Sequence, residues 1–206
     1  GTVMLHEGNV VEAYYFSTSM GYTDTEEVWN PLEGTDSDYL KQVCLNEQMF
    51  EGDLSDDKVF KEYLTCDRKG YDSDVKFYRW KIKADYSGLT ETLKEILRIR
   101  RSALKRHITY YQADGKSEVD SMKHFGEFAS LEVGKRSDSG CILELMVRFE
   151  NGTAKVENEY NIRKILGCGA DEITYKDESK GEIGSLIPSA FCTIEKQENG
   201  TYLLCG

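Results

Sequence analysis

The sequence predicts an α+β fold in which antiparallel β-hairpins and sheet are combined with one long and one short helix. Three observations carry that prediction. Leu89, Leu93, Ile96, Leu97 and Leu104 recur at the three- and four-residue spacing of one helix face. Asn151-Gly152 and Asn199-Gly200 stand between apolar runs, as hairpin turns do. Asn158 precedes a second, shorter apolar face made by Ile162, Ile165 and Leu166, which stops at Gly167.

Taken in order, Thr2 to Ser19 reads as a β-hairpin. Val3-Met4-Leu5 is one arm, Glu7-Gly8-Asn9 the turn and Val10 to Phe16 the other arm, since valine, tyrosine and phenylalanine suit a pleated, half-buried surface. Ser17 to Thr23 is a loop of small polar residues. Residues 33–74 read as irregular, acidic and solvent-facing, with one short helix at Lys58–Leu64. The long helix is expected from Leu89 to His107, with Ser87 or Thr90 capping its start. Strands follow at Ala129–Lys135 and Cys141–Phe149, joined through Ser137-Asp138-Ser139-Gly140. The short helix runs from Asn158 through Leu166, and Phe191–Lys196 with Tyr202–Cys205 makes the last hairpin. With no repeat and no linker, 1–206 is expected to form a single region. Within it, 1–86 is a β-rich part with an acidic insertion, and 87–206 is a helix with a β-rich scaffold.

Charge bounds the partners. The formal net charge is −11, from 26 Lys+Arg against 37 Asp+Glu, and residues 33–74 alone hold twelve acidic side chains against five basic. Nucleic acid, a polyanion, is therefore not an expected partner. The one basic concentration, Arg98, Arg100, Arg101, Lys105 and Arg106, falls in the last turns of the predicted helix, where the macrodipole favours cations. No apolar run approaches the ~18 residues of a membrane-spanning helix, so no span is expected. There is no secretory signal, and because the chain opens on Gly1, any leader or anchor is expected upstream of it.

The reactive residue types give no catalytic set. The six cysteines, Cys44, Cys66, Cys141, Cys168, Cys192 and Cys205, form no C-x-x-C pair, and Cys141 and Cys192 lie in apolar strand-like runs. They are read as reduced structural thiols. His6, His107 and His124 are widely spaced, so no metal or other cofactor is expected. No G-x-S-x-G elbow is present. Glu26 and Glu27 are adjacent rather than paired on one face, and are placed on a helix or loop surface. Asn151-Gly-Thr and Asn199-Gly-Thr match a glycosylation sequon but are better explained as turns.

The segment Gly8-Asn9-Val10-Val11-Glu12-Ala13-Tyr14-Tyr15-Phe16-Ser17-Thr18-Ser19-Met20-Gly21-Tyr22-Thr23 resembles the SpoIID/LytB family, in which a strand of the type A-x-(F/Y)-(F/H)-S leads into S-T-S-G-G-x-T. Glu27-Val28-Trp29 continues the likeness, and Asp38-Tyr39-Leu40-Lys41-Gln42-Val43 is similar to the family's P-Y-L-K-S-V. Further on, Lys135 to Gly140 with Ile142 and Leu145 is similar to R-x-x-S-G-R-V-x-x-L. Asn161 to Gly167 is similar to the I-R-x-x-L-G helix, and Phe191 after Ile187-Pro188-Ser189 to the L-x-S-x-x-F strand. Met20 stands in place of glycine, Asp38 in place of proline, and residues 44–78 are longer than the usual connection.

The resemblance implies glycan-strand cleavage in peptidoglycan by lytic transglycosylation, chiefly in sporulation, at an extracytoplasmic, cell-envelope location. The alternative is a non-catalytic cell-wall-binding or amidase-modifying module. Peptidoglycan glycan strands are the implied partner, with other cell-wall hydrolases beside them. The family's acid glutamate, in a segment of the type E-x-V-x-x-E-M, would lie upstream, as would the metal-binding His and Cys of some members. Its Gly-His-Gly-x-Gly-Met-Ser motif would follow Gly206. On that basis no catalytic residue is expected in this chain, which would instead supply a glycan-binding wall of Ser17, Thr18, Ser19, Tyr22, Thr23, Trp29, Tyr39 and Lys41. Tyr39 and Lys41, two apart on an expected strand, would share a face with the Ser17–Thr23 loop.

Overall fold

The computed structural model describes residues 5–10, 15–29, 39–66, 68–103 and 107–206. Among the described residues, two five-stranded antiparallel sheets and three α-helices form an α+β fold. The first sheet has the order β10-β9-β3-β12-β11, from β3 (Trp80–Ala84), β9 (Glu172–Tyr175), β10 (Lys180–Glu182), β11 (Thr193–Lys196) and β12 (Tyr202–Cys205). The second has the order β5-β4-β8-β7-β6, from β4 (Ile108–Gln112), β5 (Glu118–Val119), β6 (Phe128–Arg136), β7 (Ile142–Phe149) and β8 (Gly152–Glu157). A two-stranded ribbon, β1 (Leu5–His6) and β2 (Asn9–Val10), precedes both.

Alternation explains the sheets. Trp80, Ile82 and Ala84 of β3 point inward while Lys81 and Lys83 face solvent. Leu143, Leu145, Val147 and Phe149 of β7 do the same in the second sheet. Both sheets contribute to one apolar core, which α2 (Thr90–Ala103) joins through Leu93 and Leu97 and α3 (Glu159–Gly167) through Ile162, Ile165 and Leu166. A smaller core of Met20, Tyr22, Leu54, Phe60 and Tyr63 forms around α1 (Asp57–Thr65). Phe191 packs against both cores.

Several expectations need correction. The described part of the first hairpin ends at Val10, and Tyr15 and Phe16 are not in a strand; residues 2–4 and 11–14 of the expected arms lie outside the described residues. The described part of the long helix is Thr90–Ala103; residues 104–106 of the expected span lie outside the described residues, and Ile108 begins β4. Thr90 does not cap that helix. Its hydroxyl donates to Glu127 Oε2 at 2.7 Å and accepts from the Phe128 N–H at 3.0 Å, which joins the helix start to β6. In the β7–β8 hairpin Phe149 pairs with Gly152, so Glu150 and Asn151 are the turn residues, one position earlier than expected. Tyr39–Lys41 is not a strand; isolated bridges, Tyr22 with Cys44 and Asn46 with Gly70, follow it. Glu26 is buried in a 3₁₀ turn at Glu26–Val28, and only Glu27 faces solvent.

All six cysteines are free thiols. Cys141 and Cys192 are fully buried, and burial pushes the Cys192 thiol up to about 12. Reducing agent is expected to leave the thermal midpoint where it is. A bridge worth ~2–5 kcal/mol would instead show in scanning calorimetry as a fall of several degrees on reduction.

Candidate functional site

The site begins at a backbone tie. Thr23 donates its N–H to Val43 O (2.9 Å) and its hydroxyl to Lys41 O (2.9 Å), and that hydroxyl accepts from the Val43 N–H (2.8 Å). Leu45 N–H donates to Gly21 O at 2.8 Å. Thr23, with the Leu45–Gly21 bond beside it, thereby holds the 39–45 segment alongside the 19–23 loop without a regular strand. The loop is fixed from below. The Tyr63 hydroxyl donates to Met20 O (2.7 Å), the Arg79 guanidinium to the same carbonyl (3.2 Å), and Ser19 N–H to the Asp72 carboxylate (2.7 Å). Met20, which stands where glycine was expected, fills the small core instead of exposing a turn.

These segments form one side of a cavity of about 520 Å³. Phe77, Tyr78, Trp80, Pro188, Ser189 and Phe191 line it from the first sheet's end, and Glu159 with Arg163 line it from α3. Asn158 joins the sides. It caps α3 by accepting from Asn161 N–H (3.4 Å), and its amide donates to Trp29 O (2.5 Å), with its own backbone held at a φ of 74°. A non-glycine residue at positive φ persists only where surrounding contacts fix it.

The structure brings all eight residues chosen from the sequence, Ser17, Thr18, Ser19, Tyr22, Thr23, Trp29, Tyr39 and Lys41, to this cavity. They do not behave alike. Ser19 and Tyr22 are buried, and the Tyr22 hydroxyl accepts from the Phe50 N–H at 3.0 Å, so both help to build the floor. Tyr39 and Lys41 are exposed at the rim, as are Tyr15, Phe16 and Phe77. Trp29 is half-buried and packs on the main core. The Thr18 hydroxyl is buried with no hydrogen-bond partner among the described residues.

Sequence reasoning missed two carboxylates in the cavity. Asp24 lies one residue beyond the Ser17–Thr23 loop, and burial holds its carboxyl above the usual range, against the opposing pull of hydrogen bonds from Ser137, Ser139 and the Thr25 N–H. Glu159 is also raised by burial, with Arg163 Nη1 at 3.3 Å lowering it in part. The available signal was spacing: Glu159 and Arg163 are i, i+4 on the expected short helix and therefore share a face.

The other charged surfaces are committed elsewhere. Arg98 pairs with Glu95 and Arg101 with Asp120, while Arg100 donates to Asn161 and lies over the Tyr160 ring. Lys105 and Arg106 of that basic run lie outside the described residues. A second cavity, of about 510 Å³, opens near Lys61, Arg79 and Lys81, but Lys61 is bound to Glu195 and Arg79 to the Met20 and Tyr78 carbonyls. Among the described residues no group of His, Cys, Asp and Glu side chains is arranged to hold a metal ion, and no helix is long and apolar enough to cross a membrane.

A family model described as a domain of unknown function, DUF8618, matches residues 23–180. No curated protein and no solved structure matches the chain.

Proposed function

The chain belongs to the DUF8618 family, and we propose that its cavity is a glycan-binding groove, part of a SpoIID-type protein that cleaves the glycan strands of peptidoglycan outside the cytoplasm. One observation carries this reading. Residues from two separated stretches, 17–29 and 39–41, chosen for their likeness to that family, meet on a single cavity. The lining suits sugars. Tyr15, Phe16, Trp29, Tyr39 and Phe77 offer aromatic faces, while Ser17, Thr18 and Lys41 offer hydroxyl and ammonium groups for orientation. The partners on this reading are peptidoglycan glycan strands and the cell-wall hydrolases that act on them, during sporulation.

A binding role without cleavage by this chain itself is favoured by the state of the carboxyls. Lytic cleavage needs a protonated carboxyl that reaches the glycosidic oxygen. Asp24 is bound by three donors and Glu159 by Arg163, so neither is presented to a ligand as an uncommitted acid.

The full chain is expected to bind denuded glycan strands in calorimetric titration and to release no anhydromuramic products by mass spectrometry. A missing proton donor lowers rates ~10²–10⁴-fold. Lys41→Ala should weaken binding about tenfold, the cost of one charge-assisted hydrogen bond, with an unchanged thermal midpoint because Lys41 is exposed. Products at enzyme-like rates would overturn the binding role, and strands that fail to bind would overturn the groove.

A further inference from the structure

Asp24 is the point where one wall of the groove meets the second sheet. Its Oδ2 accepts from the Ser137 hydroxyl (2.5 Å) and from the Ser139 hydroxyl, both in the β6–β7 turn, and its Oδ1 accepts from the Thr25 N–H (2.8 Å). That turn is stiff. Ser137 N–H donates to Cys141 O (2.9 Å), Cys141 N–H donates to the Ser137 hydroxyl (3.1 Å), and Arg136 Nη1 donates to Gly140 O (2.7 Å). From Asp24 the chain runs through the 3₁₀ turn to Trp29. Asp24 therefore anchors the start of the Thr23–Trp29 wall to the sheet, while Asn158 holds its end through Trp29 O and Val28 packs on the core, and Asp24 also lines the cavity. Three of its roughly four acceptor positions are filled. A ligand lying over it would remove water and could return little hydrogen bonding.

We propose that Asp24 is the positioning residue of the groove, holding the Thr23–Trp29 wall through Ser137 and Ser139, and that filling the groove drives a proton onto its carboxyl. The second half rests on the groove being the ligand site. Burial already favours the neutral carboxyl, and Glu27, 4.0 Å from Lys135, acts in the same direction. The other charged groups lining the cavity are the Glu159–Arg163 pair and Lys41; behind the turn stand Arg136 and the buried Cys141 thiol, whose pKa is pushed far up. A neutral Asp24 keeps both serines by donating to one and accepting from the other, so the wall stays in place. Because its folded pKa lies above the unfolded one, Asp24 stabilises the fold most at low pH, and that gain is lost as pH rises through the folded pKa. Ligand affinity should follow the same direction, since binding and protonation favour one another equally.

Titrating the full chain with glycan strands in two buffers of different ionisation heat reads the proton uptake. The expected result is uptake of up to about one proton per strand bound, and affinity that rises up to about tenfold per pH unit on acidification. Asp24→Asn should bind with no uptake and a flat pH profile, whereas Glu159→Gln should keep the uptake. Binding without uptake, or uptake lost in Glu159→Gln and kept in Asp24→Asn, overturns the proton linkage and leaves the groove reading standing. Strands that bind at no pH overturn both. Amide hydrogen exchange needs no ligand: Ser137→Ala with Ser139→Ala should quicken exchange at Thr23, Thr25, Val28 and Trp29 several-fold while the sheets stay protected. Unchanged exchange at those amides overturns the positioning role.

Discussion

Arg136→Met is expected to cost about 3 kcal/mol of stability and to lower the thermal midpoint by roughly 6–12 °C. The guanidinium is wholly enclosed, with a side-chain exposure of 1%, and lies over the Phe60 ring at 4.6 Å. It donates to Gly140 O at 2.7 Å, Cys192 O at 3.0 Å and Asp57 Oδ1 at 2.5 Å. Methionine fills much of the same volume, so the loss isolates the polar contacts. Two buried carbonyls are left without a donor, at ~1–3 kcal/mol each. Asp57 is 63% exposed, and water can replace it at its end of the pair. Asp57→Ala should therefore cost only about 1 kcal/mol. Chemical denaturation of both variants separates the cases. Equal losses would mean that the ion pair to α1, and not the bonds to the Gly140 and Cys192 carbonyls, supplies the stability.

Arg136 also shows which parts of the fold could be read in advance. The run Ser137 to Gly140 was legible as a turn between two strands from its small polar residues, yet nothing in that pattern revealed that the arginine just before it would be buried. That burial depends on Phe60 and Cys192, which are 76 and 56 positions away. Local signals fared well where they were physical requirements of one element. Asn158 caps α3 because its side chain reaches Asn161 N–H, and the apolar stripe of α2 faces the core through Leu93 and Leu97. They failed where tertiary contacts decided. Thr90 reads as a helix cap, but its hydroxyl joins the helix start to β6 through Glu127 and Phe128. Trp80 to Ala84 alternates plainly, but no hairpin turn flanks it, since its partners β9 and β12 come from the far end of the chain.

The candidate site divides in the same manner. The Ser17–Thr23 loop and the Tyr39–Lys41 stretch were legible as candidates from their motifs. Their meeting was expected through strand pairing, whereas the structure achieves it through the Thr23 side chain bonding two carbonyl-and-amide positions across the gap. A hydroxyl can make that tie in an irregular segment, which period-two alternation cannot signal. Asp24 and Glu159 escaped because their role depends on burial against distant elements. Their residue types alone read as solvated surface.

Gly21→Ala is expected to cost about 3–4 kcal/mol and to abolish ligand uptake by the groove. Two effects add at this position. Gly21 has a φ of 116°, a region that a side chain enters only with strain of ~1–3 kcal/mol. A methyl group there would also fall inside contact distance of the Tyr63 hydroxyl and the Asn46 amide. Neither group can yield freely. The hydroxyl donates to Met20 O at 2.7 Å and accepts from Asn46 Nδ2 at 3.0 Å, and Tyr63 is fully buried against Tyr22, Phe50 and Phe60. Moving it breaks the shorter of the two bonds that fix the Met20 carbonyl, leaving Arg79 alone on it, and tilts the loop carrying Ser17 to Thr23. Gly88 supplies the comparison, with a φ of 73° and open space where its methyl would stand. Gly88→Ala should cost only the backbone strain, about 1 kcal/mol, and leave the groove intact. The two variants are compared by thermal denaturation and by strand titration. If both lose the same stability, crowding at Tyr63 contributes nothing; if Gly21→Ala is destabilised yet binds normally, the groove does not depend on the geometry that Gly21 permits.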